Sequence, residues 1–300
     1  MKNLFLTIYL IIMLSFSSFG QANEANYRIF DAQGNPSSLE KIYEAIGRTD
    51  VVFLGEQHDD ATAHALQLQI FKAAVEKHGK ERKVALSLEM FERDVQTVVD
   101  EYLNNLISEN HFLLSSRPWN NYKQDYRPLV ELAKTQKLPV LAANAPRRYV
   151  NMVSRNGRDA LNAISPEAKK WLAPLPYRQA SESYANKFKT LMGGSPESGM
   201  GLNKILDSQT LWDATMSFSI AEFLKKNKNA LVVHLIGSFH TENRLGTAEQ
   251  LLQFRPKAKL IVVTMRYEDD FMKFDKTKHE NLGDFVILTD SKQPRSFSRS

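Results

Sequence analysis

The amino-acid sequence predicts an α/β fold in which helices flank a largely parallel central sheet that carries a mostly helical insertion. Short, nearly continuous apolar runs alternate along the chain with longer segments in which apolar residues recur at helical spacing. That alternation indicates right-handed crossovers between parallel strands. The composition, with 43% hydrophobic and 24% charged residues, is that of an ordinary globular protein.

Six segments are predicted as strands of this sheet. Most of them are apolar throughout instead of alternating with polar residues, which is typical of strands that helices cover on both faces. In chain order the predicted strands span residues 51–55, 84–88, 139–143, 231–236, 260–265 and 285–288.

Four amphipathic helices are predicted between these strands, and the longest covers about residues 203–226. Asp60 and Asp94 are candidate N-caps, since their carboxylates can accept a hydrogen bond from an amide of the first turn. The stripes recur at spacings of about three and four residues. They are His64, Leu68, Phe71 and Val75; Val95, Val98, Val99 and Tyr102; Tyr126, Leu129, Val130 and Ala133; and Ile205, Gln209, Trp212, Met216, Ile220 and Phe223.

Residues 147–202 differ from the rest of the chain because they contain no convincing strand. The segment is rich in Pro, Gly, Met and Tyr, and it ends in the sequence GGSPESGMG. We interpret it as a mostly helical insertion at the edge of the sheet, with a flexible loop at residues 193–201. No internal repeat is present, so residues 23–300 are predicted to form a single domain.

Residues 1–22 have the pattern of a secretory signal peptide. Lys2 supplies a positive charge, an apolar run follows at residues 4–14, and SFSSFGQA supplies the small residues of a cleavage site. Cleavage near Gly20 or Ala22 would give a soluble protein in the periplasm or another extracytoplasmic space. The alternative is a retained membrane anchor, but the run is shorter than the roughly 20 apolar residues of a span.

The cysteine count and the charge exclude several functional classes. The 300 residues include no cysteine, so disulfides, thiolate nucleophiles and cysteine-bound zinc are excluded. The net charge is +5, yet the basic residues are dispersed and form no stripe with interleaved aromatic residues, so nucleic acid is not a predicted partner. The polar tail at residues 291–300 is predicted to be frayed.

Polar side chains follow the ends of the predicted strands, where open parallel sheets bind their ligands. Two of these turns share the pattern Gly-x-x-His, namely GEQH at residues 55–58 and GSFH at residues 237–240. Glycine allows a sharp turn beside a ligand, so the two histidines can meet there with a glutamate from another strand. The candidate catalytic residues at this edge are Glu56, His58, Glu89, Arg93, Arg147 and His240.

This set predicts two kinds of chemistry. His58, Glu89 and His240 offer the imidazole and carboxylate ligands of a divalent metal site. The same groups could instead form a general acid–base pair that activates water, with Arg93 or Arg147 stabilising developing negative charge. One functional hypothesis is therefore a hydrolase of ester or peptide bonds, metal-dependent or not.

Structural roles for these residues are the alternative. Glu56 and Glu89 could form salt bridges with the two arginines, and the histidines could be hydrogen-bonded loop residues. Gln209 and Asp213 lie on or beside the apolar face of the longest predicted helix, where polar groups need partners. They form either a buried network or one wall of the pocket, and His64 is either a core histidine or a support for the site.

Five stretches, in order, give the sequence a resemblance to a known family. They are VVFLGEQHDDATAHALQLQI, LSLEMFERDVQ, YRPLVELAKTQKLPVLAANAPRRYV, SQTLWDATMSFSI and LIGSFHTENRLGTAEQL. The chain resembles the ChaN family of haem-binding uptake proteins, within the wider group of Tiki proteins and erythromycin esterases. The resemblance implies a mixed α/β fold with its site at the strand ends, and extracytoplasmic handling of haem or iron.

The resemblance also implies ligands and partners. Haem in that family can be held by a tyrosine oxygen, and dimerisation places two haems together, so haem and a homodimer are implied here. An outer-membrane haem receptor or a periplasmic carrier would be a further partner. Tiki-like relatives use paired Gly-x-x-His motifs and a glutamate in hydrolysis, which correspond to His58, His240 and Glu89. ChaN members often carry a lipobox cysteine, which this chain lacks.

Tyr184 and Met192 are the residues selected for haem binding. Tyr184, Phe188 and Met192 follow one another at spacings of four, so they would share one helical face and could cover a haem. Tyr149 and Tyr177 are the other tyrosines considered for the iron. The alternative is an ordinary packed helix.

Overall fold

The computed structural model describes residues 22–193 and 199–297 of the chain. The predicted signal peptide lies outside the described residues except for Ala22, and so does most of the predicted loop at residues 193–201. In the described part of the chain, no helix is both long enough and apolar enough to cross a membrane.

The central sheet has seven strands, which are β1 (Tyr27–Asp31), β2 (Val51–Glu56), β3 (Val84–Glu92), β4 (Val140–Asn144), β5 (Leu231–Gly237), β6 (Leu260–Glu268) and β7 (Phe285–Asp290). Their order across the sheet is β1-β7-β6-β2-β5-β3-β4. β1 pairs antiparallel with β7, and every other neighbouring pair is parallel. The predicted α/β fold with a largely parallel sheet is confirmed.

Two features of the sheet differ from the prediction. β1 was not predicted, because its sequence YRIFD is short and carries two charged residues, as an edge strand can. β3 and β6 extend three residues or more beyond the predicted ends, so Glu89 lies within a strand and not after it. The apolar signal is interrupted in these strands by the charged residues Glu89 and Arg266, although Met90 and Phe91 beyond Glu89 are buried in the core.

The helices are α1 (Leu39–Ile46), α2 (Ala61–His78), α3 (Gln96–Leu103), α4 (Glu109–Ser116), α5 (Arg127–Thr135), α6 (Arg147–Asn156), α7 (Pro166–Lys169), α8 (Glu182–Leu191), α9 (Gly199–Lys226), α10 (Thr247–Phe254) and α11 (Lys276–His279). Asp60 caps α2 as predicted, accepting from the Ala63 amide at 2.9 Å. Asp94 does not cap α3, because its carboxylate binds Arg117 and Arg148 instead.

Two hydrophobic cores lie on opposite faces of the sheet. Leu54 and Leu86 pack with residues of α1 to α5 on one face. Phe53 and Ala85, their neighbours in sequence, pack with α9 and α10 on the other. Successive strand residues point to opposite faces, so strands covered on both sides must be apolar at every position. This is why the apolar runs identified the strands.

Helices α6 to α8 precede α9 in the long connection between β4 and β5, and no strand occurs among its described residues. A third core joins this segment to α9, with Val150 and Val153 of α6 packing near Leu211 and Ala214. The mostly helical insertion is therefore present, and it packs against α9, the helix that covers the sheet.

The order of the central strands positions the site. β5 lies between β2 and β3, and its Gly237 is the register partner of Glu56. The pairing of β3 with β4 shifts between Leu88 and Glu92, so the chain is irregular around Glu89. Because the carboxyl ends of parallel strands meet at one edge, the two Gly-x-x-His turns become neighbours.

Candidate functional site

A cavity of about 1000 Å³ opens at the carboxyl ends of the central strands. Its wall combines apolar and polar side chains, as the walls of ligand sites usually do. The large apolar side chains include Trp119, Leu191, Trp212, Phe239 and Phe297. The predicted site residues that line it are Glu56, His58, Glu89, Arg147 and His240, and Gln209 lies among them.

Glu56 lies beneath His58 and fixes its ring. One carboxylate oxygen of Glu56 lies 2.9 Å from Nδ1 of His58 and also accepts the Tyr126 hydroxyl. The other oxygen accepts from the Gln67 amide and lies 3.6 Å from Nδ1 of His64. Since a carboxylate can only accept, Nδ1 of His58 is the donor in its pair with Glu56.

The carboxyl group of Glu56 is a buried anion, with only 3% of the residue exposed. Burial by itself would raise the pKa of Glu56, but the charge of His64 and the hydrogen bonds from His58 and Tyr126 lower it to about 2. Each oxygen already has protein partners, so Glu56 acts on a ligand through His58. We assign it as a positioning residue.

His240 has a buried carboxylate partner of its own. Its Nδ1 lies 2.8 Å from Oδ1 of Asp213 on α9, and the same oxygen accepts the Thr247 hydroxyl at 2.7 Å. Burial alone would lower the pKa of His240, but Asp213 and then Glu89 raise it above its usual value. Asp213 thus belongs to a buried network that supports the site and favours the imidazolium form of His240.

Glu89 and Gly237 connect the two turns. Oε2 of Glu89 accepts a 2.6 Å hydrogen bond from the Gly237 amide. A Cβ added at Gly237 would lie 3.1 Å from Nε2 of His58 and 3.6 Å from Oε2 of Glu89. The glycine of the second Gly-x-x-His turn is therefore what allows the histidine of the first turn to approach.

The structure brings His58, Glu89 and His240, the predicted ligands of a divalent metal, to one cavity. Across residues 22–193 and 199–297, no group of three or more His, Asp or Glu side chains could hold a metal ion. Nδ1 of each histidine faces a carboxylate, and Glu89 accepts the Gly237 amide. A carboxylate at Nδ1 is also the usual support of a metal-binding histidine, so a divalent metal held by His58, Glu89 and His240 stays a prediction.

The two predicted arginines occupy different places. Arg147 begins α6, is exposed and lines the cavity. Arg93 is not part of the cavity wall, because its guanidinium donates to the Ser219 hydroxyl at 2.5 Å and lies over the ring of Phe218. Within the described residues neither arginine forms an ion pair with Glu56 or Glu89, whose partners are the histidines, amides and Tyr126 given above.

Tyr184 and Met192 lie outside the cavity wall in the described part of the chain. Tyr184 is 1% exposed, and its hydroxyl is 3.4 Å from Nδ1 of His240, on the side of Asp213. Burial and the neighbouring Asp213 raise the pKa of Tyr184 well above its usual value. Met192 follows α8 and is 50% exposed. Haem binding by these two residues stays a prediction.

The segment before α5 supports His58 in ways that the sequence did not reveal. Asn121 donates to the His58 carbonyl at 2.8 Å, and Nε2 of His64 lies 3.1 Å from the same oxygen. The Trp119 ring packs edge-on against the His58 ring, with centroids 4.6 Å apart. The only sequence signal is the polar and aromatic cluster PWNNYKQDY, whose Tyr126 was assigned to an apolar helical stripe.

A comparison with family models shows the family of the chain. Residues 42–251 match the model described as haem-binding uptake, Tiki superfamily, ChaN. The chain belongs to this family. The ChaN match includes both Gly-x-x-His turns, Glu89, Arg147 and all of α9.

A solved structure shares the fold of this chain. A structure of ChaN of Campylobacter jejuni with cofacial heme binding has a TM-score of 0.68 at 19% identity, and the match covers 90% of this chain and 100% of that one. A mutant erythromycin esterase, EreC, in its open conformation has a TM-score of 0.47 at 10% identity, with coverage of 88% and 83%. The first likeness shows the fold, and the second is too weak to support an argument. No curated protein matches the sequence.

Proposed function

We propose that this ChaN-family protein binds haem in the cavity at the strand ends, as cargo for uptake. The observation that carries the proposal is the cavity of about 1000 Å³ in which large aromatic side chains stand beside two imidazoles. Haem binding requires apolar cover for the porphyrin and a protein donor for the iron. Membership of a haem-binding uptake family supports the same conclusion.

The size and the walls of the cavity fit such a ligand. Small-molecule sites span about 300–1,000 Å³, so this cavity is at the upper end of that range. Trp119 lies beside His58 on one part of the wall, and Trp212 and Phe239 lie beside His240 on another. These rings can cover the porphyrin on the two sides that carry the imidazoles.

Arg147 is the residue that suits the haem propionates. It is exposed at the cavity wall, at the start of α6. A guanidinium binds a carboxylate with two parallel hydrogen bonds, which also fixes the orientation of the ligand. We therefore assign Arg147 to a propionate and not to the stabilisation of a transition state.

His58 is the iron ligand that the geometry favours. Its Nδ1 is held by Glu56, and a carboxylate behind an imidazole is the usual support of a metal-binding histidine. Its side chain is 26% exposed, whereas Tyr184 is 1% exposed and has a raised pKa. For Tyr184 to ligate the iron, α8 would have to move and the phenol would have to lose its proton.

A hemin titration of the purified protein tests the proposal. Wild type should give a saturable Soret shift, His58→Ala should change the band, and Tyr184→Phe should leave it unchanged. Arg147→Glu should weaken binding by about tenfold, because one charged hydrogen-bonded pair is lost. Arg155→Glu is the matched control, since Arg155 is exposed on the same helix outside the cavity wall. No saturable shift in wild type would contradict haem binding.

A role in haem uptake implies a location outside the cytoplasm and partners that exchange haem. We propose that the chain is exported through residues 1–22 to the periplasm, that it forms a homodimer with bound haem, and that a receptor or carrier exchanges haem with it. Cell fractionation with N-terminal sequencing should find a periplasmic protein beginning near residue 21 or 23. Size exclusion with and without hemin tests the dimer. A protein retaining Met1 in the cytoplasm would contradict export.

A hydrolase is the second candidate, and the two histidine–carboxylate pairs favour it. His240 with its raised pKa suits a general acid, and His58 held by Glu56 suits a base that activates water. Screening ester and peptide substrates, then comparing wild type with the His58→Ala and His240→Ala double variant, tests this candidate. Activity that the double variant retains in full would contradict it.

A further inference from the structure

The tail at residues 291–300 was predicted to be frayed, but its described residues, 291–297, form specific contacts with the rest of the chain. After β7 ends at Asp290, residues 291–297 turn back over the edge of the sheet, and we name them the C-terminal strap. Ser291 donates its amide to the Glu268 carbonyl at 3.2 Å, and Gln293 donates its side-chain amide to Asp290 at 3.0 Å. These contacts direct the chain toward the turn that carries His58.

The strap is anchored first at Asp59, which follows His58. Arg295 donates to the Asp59 carboxylate at 2.9 Å, and the Ser296 amide donates to the Asp59 carbonyl at 2.9 Å. The Arg295 guanidinium also lies 3.9 Å from the ring centroid of Tyr267, whose hydroxyl donates to the same Asp59 carbonyl. A charge pair, a backbone bond and a stacked ring therefore hold one point of the strap.

A second anchor joins the strap to the support of His58. The Ser296 hydroxyl donates to Oδ2 of Asp125 at 2.6 Å. The same oxygen accepts from Asn121 at 2.7 Å and lies 3.6 Å from Nε2 of His64. Asn121 and His64 are the side chains that contact the His58 carbonyl. The strap is thus part of the network that positions His58.

The next residue, Phe297, is part of the cavity wall. It is partly buried, and it is carried there by the two anchors immediately before it. The strap also lies beyond residues 42–251, the part of the chain that the family model matches. An aromatic wall residue therefore comes from a segment that the match does not include.

We propose that the C-terminal strap is part of the binding site, with Phe297 as a ligand-contacting residue and Ser296 and Arg295 as positioning residues. The inference rests on the proposed function, because it takes the ligand to be a flat, largely apolar ring system such as a porphyrin. Phe297 gives such a ligand an aromatic surface near His58. The anchors keep that surface in place and slow the release of the ligand.

Hemin titration and hemin transfer to apomyoglobin test the proposal with the full chain. Phe297→Ala should weaken hemin affinity by about tenfold, since an aromatic side chain no longer covers the ligand. Ser296→Ala should speed the transfer severalfold by loosening the strap. Deletion of residues 298–300 is the matched control, because it keeps every strap contact described above, and it should behave as wild type.

The outcomes separate the strap from the proposed function. If wild type binds hemin and Phe297→Ala binds within twofold of it, the strap proposal is overturned and haem binding stands. If wild type fails to bind hemin, haem binding is overturned. The position of the strap is then tested by a measurement that needs no ligand. Two of the three tryptophans, Trp119 and Trp212, line the cavity, so acrylamide quenching of tryptophan fluorescence should rise in Phe297→Ala and Ser296→Ala, with Trp171 as a constant contribution. Unchanged quenching would overturn the strap as well.

Discussion

At the scale of single residues, the site depends on two histidines that each face a buried carboxylate. Glu56 holds Nδ1 of His58 and Asp213 holds Nδ1 of His240. A carboxylate fixes the tautomer and the orientation of an imidazole, and it increases the basicity of the ring. That support serves an iron ligand as well as it serves an acid or a base, which is why both candidate functions use the same atoms.

Glu56 should contribute stability that depends on pH. Its folded pKa of about 2 lies below the usual 4.5, so its contribution is present above pH 4.5 and is lost as pH falls through about 2. We expect Glu56→Gln to lower the free energy of unfolding at pH 7 by about 3 kcal/mol, because buried partners are left unpaired. The difference from wild type should shrink below pH 4.5, as measured by urea unfolding. Glu44→Gln, which changes an exposed glutamate, is the control.

His240 should have a pKa above the usual histidine value. Its raised folded pKa means that its contribution to stability is present below pH 6.5 and is lost as pH rises through that higher value. In Asp213→Asn, burial becomes the main influence, and the pKa should fall below 6.5. NMR of the carbon-bound imidazole protons measures the pKa of His240 in wild type and in Asp213→Asn. The exposed His111 is an internal reference. Equal midpoints in the two proteins would contradict the role given to Asp213.

At the scale of elements, the turns at the strand ends matter more than the helices around them. β5 ends at Gly237, and Gly55 is the penultimate residue of the neighbouring strand β2. The segment 119–126 closes over the first turn. The π-helical turn Tyr122–Tyr126 places Asp125 and Tyr126 toward the site in successive positions. A π-helical turn is frequent at functional sites because it redirects side chains in this way.

Gly237→Ala should disturb the site while keeping the fold. The added Cβ would lie 3.1 Å from two atoms of the His58 ring, so that ring must move by a few tenths of an ångström. We expect a loss of about 1–2 kcal/mol in unfolding free energy and a changed Soret band with hemin. Gly201→Ala, where the added Cβ meets nothing within 4 Å, is the control and should preserve the band. A wild-type spectrum in Gly237→Ala would contradict the contact.

At the scale of the whole molecule, the sheet is packed between two layers of helices, and the cavity lies at the edge formed by the strand ends. The wall of the cavity draws on the strand ends, the segment before α5, α6, α9 and the C-terminal strap. A ligand bound there contacts elements that are distant in sequence, so binding should stabilise the folded protein as a unit.

Haem binding should therefore raise the midpoint of thermal unfolding. A ligand that binds only the folded state adds about 2.7 kcal/mol of stability at a concentration one hundred times its Kd. Differential scanning calorimetry with increasing hemin should show the midpoint rising continuously, and His58→Ala should reduce the rise. Metal-free protoporphyrin IX, which lacks the iron, is the control that separates contacts of the porphyrin ring from ligation of the iron. An unchanged midpoint at saturating hemin would contradict binding to the folded state.

The sequence alone determined the fold class and the edge of the sheet at which the site lies. Strands buried on both faces must be apolar throughout, so they are visible locally, and the polar residues that follow them mark one edge. It also determined that both Gly-x-x-His turns belong there, because Glu56, His58 and His240 end or follow such strands.

Only the tertiary structure decided what supports these residues and which of them face the cavity. Asp213, Tyr126 and Phe297 reach the site from a helix, a π-helical turn and the strap, and none carries a local signal because its partner is distant in sequence. The same reason explains why Arg93 donates to Ser219 of α9, and why the Tyr184 hydroxyl lies near Nδ1 of His240 and outside the cavity wall. Side-chain direction is set by packing between elements, which periodicity along one element does not encode.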